Sequence, residues 1–333
     1  MIIIWLTYPR KAGINIEVIS VKKRIGIIGL GHVSEKYYYG LSHNTDFILV
    51  SVCDINLSAS NLFIYRDFPF YTDYLEMIQH ENLDFVLIAT PPKTHYEIAS
   101  NCLNHLCNVL LEKPGSMNII EIIHLMDIAK RSGIRFEIIY HWCYANEIQY
   151  FYQNRNLFGD IQSIKIHIND PYLNNKGVID PQFYSLEGCW IDSSINVFSM
   201  LHQVIPLEQI ELIQQKYQFD QSSGLPFSCY MVFKHELILI VIDIRWTQKK
   251  NFKLTEIKTN TGLYRINHSL QRITHNDVLL YQGNQFDRLS THYLNYFNQV
   301  LKSNTIDLRT NLLIHELAFN YNRVRKVKYD GNK

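Results

Sequence analysis

Two neighbouring runs near the start of the chain pair a glycine-rich turn with a carboxylate. Gly29-Leu30-Gly31-His32-Val33-Ser34 follows the apolar run Arg24–Ile28 and opens a stretch of helical spacing. Gly29 permits a tight turn. Gly31, lacking a Cβ, lets a pyrophosphate reach the backbone N–H groups at a helix start, where the dipole favours negative charge. The third position of the fingerprint is Ser34, small but neither Gly nor Ala. Val52-Cys53-Asp54 ends the next apolar run and places a carboxylate about 20 residues on, where it would accept both ribose hydroxyls. Ile55-Asn56 supplies no arginine for a 2′-phosphate, so NAD is expected over NADP, with NADP as the alternative.

Three further segments carry proton-transfer and hydrogen-bonding groups. They are Ala89-Thr90-Pro91-Pro92-Lys93-Thr94-His95, Glu112-Lys113-Pro114 and Trp190-Ile191-Asp192-Ser193-Ser194-Ile195-Asn196. The first two end apolar runs, and in a parallel sheet the carboxyl ends of the strands rim the ligand crevice. Asp192 and Asn196 are four apart at a predicted helix start, which puts both on one face. An asparagine amide does not titrate in water, so Asn196 can hold a hydroxyl but cannot act as a base. The histidines are scattered without a His-x-x-x-His pair, and no metal site is expected.

The elements that must position these groups follow two patterns. Arg24–Ile28, Phe47–Cys53, Asp84–Ala89 and Asn108–Leu111 alternate with helical spacing over Tyr96–Leu106 and Ile119–Ala129. That alternation predicts βαβ units and a doubly wound parallel sheet. Beyond about residue 155, Ile161–Ile168, Ile210–Phe219, Phe227–Lys234, Leu237–Arg245 and Phe252–Thr259 predict successive strands of a mainly antiparallel open sheet. Helices are expected over Asp287–Leu301 and Arg309–Val324. With 333 residues the chain is long for one core, and the expected division is an extension (1–20), a Rossmann domain (21–142) and an α+β domain (143–333). A net charge of +1 excludes an electrostatic footprint for nucleic acid or anionic membrane, and Lys22–Arg24 and Arg323–Lys328 read as solvated ends of elements. No run of about 18 apolar residues is present. The six cysteines lack a Cys-x-x-Cys pair and are expected to be reduced, in the cytoplasm.

Together, and in this order, the four motif segments resemble the glucose–fructose oxidoreductase/inositol dehydrogenase (Gfo/Idh/MocA) family over roughly residues 23–326. The resemblance implies an NAD(P)-dependent oxidoreductase. Gly29, Gly31, His32, Val33, Ser34, Asp54, Thr90, Pro91, His95, Glu112 and Lys113 would lie toward the cofactor. Lys113 is implied as the central catalytic residue and Asp192 as its catalytic partner. The family's usual Asp-x-Gly-x-His segment is altered here, with Ser194 for the glycine and Asn196 for the histidine. Asp-x-x-x-Asn is similar to the branch of L-arabinose and D-galactose 1-dehydrogenases. So are Tyr140-His141, Ile244–Thr247, Thr259–Gly262 and Asp307–Phe319.

That branch implies oxidation of an aldose at C1, with Asn196, His141 and Asp170 contacting substrate. The base is Asp192 or Lys113; a lysine beside the cationic nicotinamide is expected to have a lowered pKa. The stretch Asn169–Gly188 departs from the branch and leaves the substrate open between an aldose, an inositol-like secondary alcohol and an imine. A non-catalytic sugar sensor is a further alternative. A homo-oligomer paired through the second-domain sheet is implied by resemblance alone.

Overall fold

A computed structural model of the chain describes residues 21–322, apart from 63, 250, 285, 286 and 303–306. The expected extension 1–20 and the basic cluster 323–328 lie outside the described residues. The first sheet contains β1 (Lys23–Ile28), β2 (Phe47–Cys53), β3 (Phe70–Tyr71), β4 (Phe85–Ile88), β5 (Asn108–Glu112) and β6 (Phe136–Ile139). Its order is β3-β2-β1-β4-β5-β6, with every pair parallel. All of β4 and the last four residues of β1 are buried, as strands covered on both faces must be. Helices α1 (Ser34–Ser42), α2 (Tyr74–His80), α3 (His95–Asn104) and α4 (Ile119–Ser132) connect the strands. The chain reverses direction across the sheet between β1 and β4. The carboxyl ends of those two strands therefore form the crevice where an α/β sheet takes its ligand.

A short helix α5 (Asn146–Gln153) leads into the second sheet, whose first strand is β7 (Ile161–Asp170). Helix α6 (Cys189–His202) intervenes before β8 (Glu211–Phe219), β9 (Pro226–His235), β10 (Ile238–Trp246), β11 (Phe252–Thr259), β12 (Gly262–Asn267), β13 (Arg272–His275) and β14 (Val278–Gln282). The order is β14-β13-β12-β11-β7-β10-β9-β8. Only β7 and β10 pair in parallel; the other pairs are antiparallel. The expected mainly antiparallel sheet is therefore present, extended by three strands after Thr259. Those strands are short and lack a long apolar alternation, so they left little periodic signal.

Helices α7 (Arg288–Val300) and α8 (Leu308–Asn320) close the described chain. α7 returns to the first sheet, where Tyr293 and Phe297 pack on Tyr37 of α1. α6 is apolar nearly all round, with 12 of its 14 residues buried, as a helix enclosed by other elements should be. Trp190 on α6 donates its indole N–H to the Ala318 carbonyl of α8 at 2.7 Å. A rigid, enclosed α6 thus carries Asp192 to the crevice. Among the described residues, all six cysteines are free thiols and no helix is long and apolar enough to cross a membrane.

Candidate active site

Gly29 sits at φ +94°, and a Cβ there would stand 2.8 Å from the Ala89 carbonyl and the Thr90 nitrogen. Only glycine lets the β1–α1 turn lie against the loop after β4. A Cβ on Gly31 would meet nothing, so the space over the start of α1 is open. Val33 supplies no side-chain acceptor at the start of α1, where the Ser34 and Lys36 N–H groups donate to the Gly31 and Val33 carbonyls at 3.0 Å. Ser34 is buried, and its hydroxyl donates to the Gly31 carbonyl at 2.7 Å. Its small size serves the turn itself. His32 is exposed and Val33 half-buried.

Asp54 ends β2 half-buried. One of its oxygens accepts the Leu30 N–H at 2.8 Å, and the other accepts the Asn56 N–H at 2.8 Å. Each carboxylate oxygen keeps a second lone pair, so Asp54 can anchor the glycine turn and still take ribose hydroxyls. The open space at Gly31, the uncapped α1 and this carboxylate fit a dinucleotide.

Three residues expected at the cofactor have other partners. His95 is buried, with Nδ1 2.7 Å from the Pro114 carbonyl and Nε2 2.8 Å from the Thr90 carbonyl. Burial pushes its pKa down, against both carbonyls. Glu112 is buried too, and one oxygen accepts from Tyr37 at 2.8 Å and Tyr293 at 2.6 Å. Its other oxygen accepts the Lys113 N–H at 2.5 Å. Through these contacts His95 joins the loops after β4 and β5, and Glu112 ties β5 to α1 and α7. Thr90 accepts from Thr94 through its hydroxyl at 2.9 Å, leaving Pro91 exposed beside it.

Lys113, just after β5, and Asp192, on α6, meet. The ammonium donates to the Asp192 backbone carbonyl at 2.8 Å and to its carboxylate at 3.2 Å. Burial works against the charge, yet Asp192, Glu112 and Asp170 together hold the Lys113 pKa above the usual lysine range. The three carboxylates thus outweigh desolvation. Asp192 lies in the first turn of α6, where the helix dipole favours a carboxylate. The pair lines a narrow cleft with Pro92, Met117 and Leu186. Lys93 and Glu187 form an ion pair of 3.2 Å between the loop after β4 and the connection into α6.

Asn196, one turn beyond Asp192, is buried with its amide oxygen lacking a partner. His141 is buried with Nδ1 3.1 Å from Nδ1 of His292, the rings stacked at 5.4 Å. Burial, His292 and Lys113 push its pKa well below the ordinary value, so the ring is neutral. Asp170 forms a buried ion pair with Lys253 of β11. Burial pushes the Asp170 pKa up, with Lys253 opposing. Tyr172, Lys253 and Arg288 also belong to this end and had no sequence motif to mark them. Tyr172 alone carried a signal, as part of the divergent 169–188 stretch.

Residues 23–140 match the model of the Gfo/Idh/MocA oxidoreductase family described as an NAD-binding Rossmann fold. That match spans the first sheet, from β1 to β6. The glucose-6-phosphate 3-dehydrogenase of Bacillus subtilis is 30% identical over 150 residues, 44% of this chain and 42% of that protein. The myo-inositol 2-dehydrogenase of Thermotoga maritima is 28% identical over 116 residues, 33% of this chain and 34% of that protein. The chain thus spans well under half the length of the curated relatives it matches. Solved structures extend the likeness to the second sheet. D-galactose-1-dehydrogenase from Rhizobium etli superposes with TM-score 0.75 at 18% identity, covering 91% of this chain and 95% of that one. Myo-inositol 2-dehydrogenase from Lactobacillus plantarum gives 0.72 at 18%, covering 90% and 95%. At such identities the likeness establishes the fold.

Proposed function

We propose that the chain is an NAD-dependent dehydrogenase that oxidises an aldose at C1 to its lactone, with residues 21–142 holding the cofactor and 143–333 the substrate. The observation that carries this reading is the Lys113–Asp192 pair, a proton donor and a proton acceptor in contact at the crevice edge. The glycine turn, the start of α1, Asp54 and Thr90 would hold the dinucleotide. Its nicotinamide, when bound, supplies the hydride acceptor. Asp192 takes the hydroxyl proton of the reacting carbon. Lys113, kept protonated by its carboxylates, donates to the same oxygen and stabilises the negative charge that develops there. Asn196 offers its unpartnered amide oxygen to a neighbouring sugar hydroxyl. Asp54 disfavours a 2′-phosphate by like charge, which supports NAD over NADP.

A homo-oligomer and a cytoplasmic setting complete the proposal. The first is supported by Ile213 of β8, 57% exposed, and Leu239 of β10, 43% exposed. The second is supported by the six free thiols.

A panel of aldoses and polyols with NAD and NADP, followed by absorbance of the reduced cofactor, tests the reading. Turnover of aldoses to lactones supports it. Ketone products from inositols would shift the assignment to a secondary alcohol, the second reading, supported by the divergent 169–188 stretch. Tight NAD binding without turnover of any alcohol would sink the enzyme assignment in favour of a sensor.

A further inference from the structure

One guanidinium at the substrate end is unused by the mechanism above. Arg288 is the first residue of α7, where the helix dipole disfavours a cation. Its Nη1 is shielded from solvent and has no hydrogen-bond partner, although the residue as a whole is only half-buried. The charged and titratable groups around it are Glu147, Asp170, Asp287, Tyr172, His141 and His292. Asp287 binds Lys36 at 2.6 Å and Asp170 binds Lys253. Glu147 meets His268 at 3.0 Å through Oε1, while its buried Oε2 has no partner, and it is the carboxylate that acts most strongly on Arg288 without forming an ion pair with it. Lys113 has Asp192. Among the described residues of this cluster, Arg288 is the cation with no carboxylate within ion-pair distance.

Tyr172 approaches the same place from the loop after β7. Its ring is stacked on Phe183 at 4.1 Å and set edge-on to Trp246 at 5.2 Å. Asp192, Asp170 and Arg288 all act on its hydroxyl electrostatically, and among the described residues that hydroxyl has no hydrogen-bond partner. The two groups left over at this end are therefore both donors, and one is a cation without an ion pair. A hydroxyl could accept from them but could not neutralise a partly desolvated guanidinium, whereas an anionic oxygen group does both.

We propose that the substrate carries an acidic group, a carboxylate or a phosphate, away from its reacting carbon, and that Arg288 and Tyr172 bind it. The inference rests on the dehydrogenase reading and narrows its substrate to acidic sugars or polyols.

The test is calorimetric titration of the protein saturated with NAD, using matched neutral, carboxylate and phosphate forms of glucose, galactose and inositol. On at least one scaffold an anionic form should bind roughly 10- to 100-fold more tightly than its neutral counterpart. The carboxylate and phosphate arms decide which anion is meant. Arg288→Met should bring that ratio close to one, Arg288→Lys should keep part of it, and Tyr172→Phe should reduce it. Equal binding of neutral and anionic forms on all scaffolds would overturn the inference, as would a preference that survives in Arg288→Met. So would a wild-type preference matched by general loss of thermal stability and NAD affinity in both Arg288 variants, which would make Arg288 a buried counter-ion of Glu147. Turnover on the same panel is read separately: anion preference without hydride transfer would break the dehydrogenase reading and leave the anion site standing.

Discussion

At the cofactor end of the cleft the chain works with its backbone. Gly29 lets the turn lie against the loop after β4, Gly31 leaves open space at the start of α1, and the side chains there, Ser34 and Asp54, hold the turn in shape. At the substrate end it works with long charged side chains drawn from β5, β7, β11, α6 and α7, each lysine paired with its own aspartate. The first design tolerates change in most side chains but not in glycine. The second inverts that, since removing one member of a buried pair leaves its partner charged and unsatisfied.

The sharpest way to break the comparison is at Lys113. Lys113→Ala and Asp192→Asn should each lower turnover ~10²–10⁴-fold while NAD affinity changes little, as steady-state kinetics and fluorescence titration would report. Near-normal turnover in either variant would remove that residue from the chemistry. Asn196→Ala should cost about 1–3 kcal/mol, mainly through KM, because a sugar hydroxyl loses its buried acceptor.

Acid tests the substrate end as a packed structure. His292 is pushed down to about 3 and His315 to about 4, chiefly by burial, and His141 lies well below its ordinary value for the same cause. A histidine whose folded pKa is depressed binds more protons when unfolded. Stability should therefore be intact above pH ~6.5 and fall as pH drops toward 4, by at most about 1.4 kcal/mol per pH unit for each ring. Denaturant midpoints flat from pH 7 to 4.5 would contradict the buried neutral rings.

The two glycines separate strain from ligand approach. Gly29→Ala should lose about 1–3 kcal/mol of stability, since its Cβ would press on the Ala89 carbonyl at a left-handed φ. Gly31→Ala, whose Cβ meets nothing, should melt like the parent and weaken only NAD binding. If both variants bind NAD normally, the glycine turn is not the pyrophosphate site. The smallest effect is expected at Asp54. Asp54→Ser should narrow the NAD preference over NADP by about 1 kcal/mol, read by parallel titrations.

Much of the first region was legible without coordinates. A glycine turn, an acidic strand end and a Glu-Lys-Pro run are local patterns, and a parallel sheet brings their ends together whatever its loops do. That Lys113 and Asp192 act together was implied by the family resemblance. The partners of neighbouring polar groups are tertiary. Glu112 and His95 sit among the same motifs, yet Tyr293 of α7 and the Pro114 carbonyl use their polar atoms. Strands β12 to β14 were unread because short strands without a long alternation give no period to find.

Lys113 and Asp192 were implied by the family resemblance, while the amino-acid order by itself determined the alternation of strands and helices and the position of the glycine turn after β1. Those follow from contacts and conformations within a few residues, or from the fixed geometry of a parallel sheet. Only the tertiary structure decided the charge state of Lys113, the internal pairing of Asp170 with Lys253 and the company of Tyr172 and Arg288. A pKa depends on every charge and every desolvating atom around a group. Arg288 stands 175 positions from Lys113, and no local pattern in the chain records that α7 returns to the same cleft.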